Sequence, residues 1–556
     1  MHKLPPKAPF SHRNWQLMPG VVLGLGLIAL VLLGLGSLLV MAGQLDIGSV
    51  WRSPYLRGVV VFTLWQAALS VGLSLLFALP VALALARFSQ FAGRSLLLRL
   101  MELSLVLPSI VAVSGIIGVY GRQGWLTSLI SSWFPDHDWN LYGVSGILLA
   151  HVFFNAPLAA RVLLQALETV PAPQLRIASQ LGLRGWWLWR GVQWPAVRPI
   201  LPGLAALVFT LCFTSFAIIM TLGGGPAATT LEVAIYQALR FEFDFAQAAL
   251  LAVIQLMICG SLWWLAFRNR MQGSLMPSRR FGHPILLRSS RPQRWLGAAL
   301  LGVFFVFLAL PLLAVVLRGL PALVPTTGSS MLYSQLLPAT ARSLLIAVPA
   351  GVGAVLGALI TVAAARKAHG RLVMAIPTIT SYLPLVVPPL VLGTGLFLLL
   401  RPSLGDTAQG WALVSFINGL MALPFVVQVL RGPFADLDRS SLRIADQLGV
   451  LGWYRWRWLY WPLMRRPIAL GLAYGIALSM GDFGVIALFG SPGQPTLPVL
   501  MYQQLSSYRV SDAAGTGLWL LSLLVLIFVV LSAVGRPVHS GQAARVQSPI
   551  GEPRHA

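Results

Sequence analysis

Arg176-Ile177-Ala178-Ser179-Gln180-Leu181-Gly182, followed by Trp194-Pro195, returns in the same chain as Arg443-Ile444-Ala445-Asp446-Gln447-Leu448-Gly449 with Trp461-Pro462. The glycines and the prolines are both separated by 267 residues. The same shift carries Pro157 onto Pro424 and Phe216 onto Phe483. One residue is then lost, so that Leu231 meets Leu497 and Tyr236-Gln237 meets Tyr502-Gln503. A register held over roughly 80 residues marks a duplicated unit.

Around these two segments the chain is apolar. Of 556 residues, 57% are hydrophobic and only 10% charged, against roughly 25% charged in a soluble domain. Most of the surface therefore meets something other than water. The excess charge of +24, from 39 basic and 15 acidic residues, suits nucleic acid or an anionic membrane surface. The arginines lie between long apolar runs with no aromatic-basic module, which favours membrane lipid and argues against nucleic acid. Cys212 and Cys259 lie inside apolar stretches and read as core residues, with no disulfide or metal spacing.

Apolar runs long enough to cross ~30 Å of hydrocarbon predict helices near 20–43, 58–86, 100–121, 143–166, 200–222, 245–267, 295–317, 342–365, 373–400, 410–430, 468–490 and 514–534. Strands are not expected, because backbone groups in lipid must bond within their own segment and the runs show no alternation. The first run is uncharged from Val21 to Ala42, too long for the apolar core of a signal peptide, and reads as a retained helix. Arginine-rich segments alternate with neutral or acidic ones, which predicts twelve crossings with both termini in the cytoplasm. Six crossings per copy leave the halves parallel, related by an axis along the membrane normal. The expected fold is thus all-α and integral to the membrane: a first module at 1–267 with a cytoplasmic loop at 168–199, a basic linker at 268–294, a second module at 295–535 with its loop at 432–467, and a disordered tail at 536–556.

Each repeated loop reads as a short helix, a glycine turn and a second helix leading into the membrane. Ala178 and Gly182 are four apart and share a face, and so are Ala445 and Gly449. Gly182 suits a helix C-terminus, where a positive φ is needed. Pro195 and Pro462 are placed to turn the chain toward the bilayer. The tryptophans between them, Trp186, Trp187 and Trp189 with Trp453, Trp456 and Trp458, read as headgroup anchors.

The order small residue, three residues, Gly, nine residues, aliphatic, one residue, Trp-Pro resembles the E-A-A-x-x-x-G loop of ABC-importer permeases. Arg176-Ile177 and Arg443-Ile444 stand where that family has Glu-Ala, while the third-position alanine, the glycine and the proline match in both copies. The resemblance implies the type I importer permease fold, with Arg176, Ala178, Gly182, Pro195, Arg443, Ala445, Gly449 and Pro462 coupling to two copies of an ATP-binding subunit. It also implies a periplasmic substrate-binding protein as partner and the bacterial inner membrane as location. Val119-Tyr120-Gly121-Arg122-Gln123-Gly124-Trp125-Leu126, Gly146 through Asn155, Leu222-Gly223-Gly224-Gly225-Pro226 and Gly481-Asp482-Phe483-Gly484-Val485 are similar to the fused permeases of thiamine and thiamine pyrophosphate importers. The cargo is implied by that similarity and not by composition or spacing. Ferric-iron permeases share the architecture and are the main alternative; a twelve-helix secondary transporter is the next.

The chain lacks what it would need to be its own motor. A P-loop requires a lysine after glycine to reach phosphates, and Lys3, Lys7 and Lys367 are the only lysines. No catalytic residues, metal site or cofactor are expected. Within the membrane, Asp482 is the conspicuous ionisable group, and its counterpart under the 267-residue shift is Ser215. A charge there is costly, by at least ~2.5 kcal/mol. It therefore lines a transport path or caps a neighbouring helix, with Gly481 and Gly484 permitting a break. His151 and Asn155, four apart on one face, read as a pair bonding between helices. No role is assigned to Glu102, and the Gly223–Pro226 turn reads as an outer loop.

Overall fold

A computed structural model of the chain describes residues 18–42, 48, 52–134, 139–225, 228–268, 291–324, 329–367, 384, 387–400, 408–435, 445, 447–450, 452–490 and 493–534. The regular elements among the described residues are all helices. The first half runs α1 (Met18–Ala42), α2 (Pro54–Arg87), α3 (Arg94–Val106), α4 (Ser109–Tyr120), α5 (Trp125–Trp133), α6 (Val144–Glu168), α7 (Ala172–Gln180), α8 (Trp186–Val197), α9 (Leu201–Phe213), α10 (Phe216–Leu222), α11 (Leu231–Gln237) and α12 (Phe245–Arg268). The second runs α13 (Arg291–Leu323), α14 (Ser329–Lys367), α15 (Pro389–Leu400), α16 (Ala408–Ala435), α17 (Gly452–Arg455), α18 (Trp461–Met480), α19 (Gly484–Phe489), α20 (Leu497–Ser506) and α21 (Val510–Val534). Most of the expected linker and the whole expected tail, with Arg443, lie outside the described residues.

Among the described residues eight helices are long and apolar enough to cross a membrane, or ten when each of two bent pairs counts as one crossing. The other two expected spans fall short for visible reasons. Only Pro389–Leu400 of 373–400 is described as a helix of any length, and 468–490 is divided between α18 and α19. The long helices are apolar all round, yet only 28% of the apolar window of α1 and 33% of that of α13 is buried within the protein. Leu32, Leu33, Val303 and Val306 point outward. Helices apolar on every side and mostly uncovered are stable only against an apolar medium.

The duplication is visible element by element. α6 and α16 end 267 residues apart, at Glu168 and Ala435, and so do the arms that follow them. Upstream the shift is 280: α2 ends at Arg87 and α14 at Lys367, and the breaks before α4 and α15 fall at Pro108 and Pro388. The difference of 13 residues is α5 and its flanks, an insertion between α4 and α6 with no counterpart helix among the described residues of the second half. Each break follows from proline, which forces the preceding residue out of helical conformation; Leu107 is extended, at φ −64° and ψ 126°.

The halves interlock through their first helices. α1 crosses α15, and α13 crosses α4. Both crossings are made at glycine. Gly395 lies against the Gly34 backbone, and Gly115 against the Pro311 carbonyl, leaving no room for a Cβ. Ser37 Oγ donates to Gly395 O at 2.8 Å. Such small-residue contacts let backbones approach where no hydrophobic force drives association. α6 is the most enclosed of the long helices, with 83% of its window buried. It packs on α2 as α16 packs on α14.

Candidate functional site

Two regions gather the residues singled out by the sequence: the paired arms and the two broken helices.

In the first arm, α7 ends in a reversal closed by two hydrogen bonds. Leu183 N–H donates to Ala178 O at 2.9 Å and Gly182 N–H to Ser179 O at 3.2 Å, the pattern of a Schellman cap. It requires a left-handed residue, and Gly182 sits at φ +67°. The second arm repeats it: Val450 N–H donates to Ala445 O at 2.9 Å, with Gly449 at φ +66°. A Cβ at either glycine would meet open space. Ala178 is turned the other way. It is buried with Val170, Leu175 and Leu188 in a small core of the arm's own, so its small size lets α7 lie close on α8. The face left open carries Arg176, Ile177, Leu181, Trp186 and Trp187 in the first arm and Leu448, Trp453, Tyr454 and Trp458 in the second. Pro195 and Pro462 stand in the first helical turn after a widened turn, Trp189–Gln193 and Trp456–Tyr460, again 267 residues apart. Proline offers no N–H to the carbonyl four residues back, and the preceding turn opens by one residue. Sequence periodicity gave no sign of these widened turns.

At the root of the first arm, Arg94 Nη2 of α3 holds Glu168 Oε1, the last residue of α6, at 3.2 Å. Arg161 of α6 is paired with Glu102 of α3. Arg161, buried inside an otherwise apolar run, was not anticipated. Its partner lies 59 residues away in sequence, and no local pattern reveals it.

The second region lies where two helices are interrupted at equivalent places. α9 stops at Phe213 and α10 begins at Phe216; α18 stops at Met480 and α19 begins at Gly484. In the first break, Ser215 Oγ shares a hydrogen bond with His151 Nε2 at 2.7 Å and donates to Cys212 O at 2.9 Å. His151 Nδ1 is bonded to Ser70 Oγ at 2.8 Å. Asn155 Nδ2 donates to His151 O at 2.9 Å. In the second break, Asp482 Oδ2 accepts from Ile486 N–H at 3.3 Å and so caps α19. Asn418 Nδ2 donates to Ser479 Oγ at 3.1 Å and faces the Asp482 carboxylate. Asn418 is the counterpart of His151, and Asp482 of Ser215, each at 267 residues. One position thus carries a hydroxyl bonded to an imidazole in one half and, in the other, a carboxylate that accepts a backbone N–H beside an amide.

The rings beside the breaks meet across the halves. Phe216 and Phe483 stack with centroids 5.4 Å apart and planes at 29°. Tyr236 meets Phe216 at 5.1 Å, and Tyr502 meets Phe483 at 4.9 Å. Pairs of this kind add about 0.5–1.5 kcal/mol each beyond area burial. Gly484 leaves ordinary contact distance to the Phe216 ring, 3.4 Å from a Cβ placed there. The helices bearing the tyrosines are seated alike: Leu231 N–H donates to Thr63 Oγ1 and Leu497 N–H to Ser343 Oγ, both at 3.0 Å. The sequence shows the Phe216–Phe483 and Tyr236–Tyr502 equivalences but not that these four rings touch.

Among the described residues no three His, Cys, Asp or Glu side chains are grouped to hold a metal ion.

Residues 78–273 match the family described as binding-protein-dependent transport system inner membrane component. The chain is 41% identical to the thiamine transport system permease protein ThiP of Escherichia coli (strain K12), over 94% of its own length and 97% of the relative's. Similarity of the same kind extends to ThiP of Brucella abortus (strain 2308), 39% identical over 92% of this chain and 94% of that one. For ThiP of Haemophilus influenzae the figures are 38%, 89% and 91%.

Proposed function

The chain belongs to the family of thiamine transport system permease proteins, inner membrane components of binding-protein-dependent transport systems, and from that premise we propose that it is the permease through which an ATP-driven importer takes up thiamine and its phosphate esters. It is a multi-pass membrane transport component and not itself an enzyme. None of the relatives named above supports ferric iron as cargo.

In this reading the twelve expected crossings form two parallel six-helix halves, with both termini in the cytoplasm and the path between the halves. A binding protein delivers cargo to the outer face. Two copies of an ATP-binding subunit clasp the arms, one each. Their closure on ATP and reopening after hydrolysis rock the halves between inward- and outward-open states. Ser215 and Asp482, at the two helix breaks, line the path. Discontinuous helices with polar groups at the break are the usual way to bring unpaired backbone and charge to a membrane-buried site.

The observation that carries the motor part is the recurrence of one arm geometry in both halves, each with large apolar side chains exposed among polar and basic ones and an open left-handed glycine. Glu at Gly182 or Gly449 places a charge in that open space and strains the turn by roughly 1–2 kcal/mol; Asn, which tolerates the left-handed region, does neither. Gly182→Glu and Gly449→Glu are expected to insert normally and to abolish ATP-coupled uptake, with Gly182→Asn near wild type. Normal uptake and retention of the ATPase by the Glu variants would show that the arms are not where the motor docks.

A further inference from the structure

We propose that Phe216 and Phe483, backed by Tyr236 and Tyr502, are the gate of the path, and that their rings together with Asp482 select a planar organic cation. The choice of thiamine as ligand rests on the function proposed above; the gate itself does not.

The geometry carries the first part. The two phenylalanines are equivalent residues of the two halves, and their rings stack with an offset and a tilt of 29°. Each is almost fully buried, at 5% and 3% exposure. Each follows a helix break directly or sits at its end, where the helical ladder is interrupted. Each leans on a tyrosine of a separate short helix, α11 or α20. Separating the halves at this point must unstack the pair, and closing them must restore it.

The chemistry carries the second. Aromatic faces attract cations through their quadrupole, and grouped faces are the known solution for cations too diffuse for a single counter-ion. Here two phenyl faces and two phenol rings surround a break that also holds a carboxylate, half-buried at Asp482. A planar ring bearing positive charge fits between separated phenyl faces as the second ring now does, and its charge is met by the Asp482 carboxylate. A neutral sugar has no charge for the carboxylate to meet, and an anion without a cationic ring is repelled by it. Thiamine, with a permanently charged thiazolium ring, has the required form.

The test uses the whole complex, permease with ATPase and binding protein, in sealed liposomes. Phe216→Ala/Phe483→Ala is expected to let thiamine and tetramethylammonium run down their gradients without ATP, at least tenfold faster than the unaltered complex. Phe216→Leu/Phe483→Leu keeps most of the volume and removes the ring faces. It is expected to stay sealed, to keep binding-protein-stimulated ATP hydrolysis, and to carry thiamine roughly tenfold more slowly. An alanine variant as tight as wild type overturns the gate. A leucine variant that carries thiamine at the wild-type rate overturns the selection. Failure of the unaltered complex to carry thiamine sinks the cargo assignment instead, and the tetramethylammonium leak then decides the gate alone.

Discussion

Asp482 has one observed task, capping a helix, and one proposed for its charge. Its Oδ2 accepts the Ile486 N–H, and a carboxylate in this position satisfies a helix end as asparagine would. Its charge is a different matter, since nothing in a cap requires it. Asp482→Asn keeps the acceptor and removes the charge. We expect the variant to assemble and melt like wild type while ATP-driven thiamine uptake falls several-fold; unchanged uptake would leave Asp482 a cap and nothing more. His151 shows the other half's solution. With Ser70 on one ring nitrogen and Ser215 on the other, its imidazole fixes a hydroxyl at the break and brings no carboxylate there.

At the level of elements, the arm depends on Ala178 for closeness. Leu175, Leu188 and Val170 already fill the space around it. Ala178→Leu should overpack that core at about 1–3 kcal/mol and lever α7 away from α8, so that the ATPase no longer co-purifies with the permease. Gln180→Leu, on the exposed side, serves as the control. Full retention of a coupled ATPase by the Ala178 variant would mean the arm's shape is not what the partner reads. Much of this was legible beforehand. Gly182 and Pro195 announced the turn and the start of the helix that follows it because a positive φ and a missing N–H are properties of single residues. The direction of Ala178 was not, because spacing gives a shared face but not what covers it. The break in 200–222 was hidden for a similar reason. It contains no glycine or proline at its centre; instead the Thr214 and Ser215 hydroxyls bond to the Thr210 and Cys212 carbonyls and compete with the helix ladder. The repeat was legible only downstream of α5, whose 13-residue excess changes the register upstream.

For the whole molecule, the crossings of α1 on α15 and of α13 on α4 tie each half to the other's interior. Cleavage at a protease site placed between α12 and α13 should therefore leave two fragments that migrate together in mild detergent. Fragments that part on cutting would mean the connecting segment, not the crossings, unites the halves. One polypeptide carrying both copies also frees equivalent positions to differ. A pore made of two identical chains must present either two acids or none where its halves face each other, and two neighbouring carboxylates repel, so that one takes up a proton and its charge is lost. With Ser215 at one of two equivalent positions and Asp482 at the other, the fused chain places a hydroxyl against a carboxylate, an asymmetry that no symmetric dimer can reach.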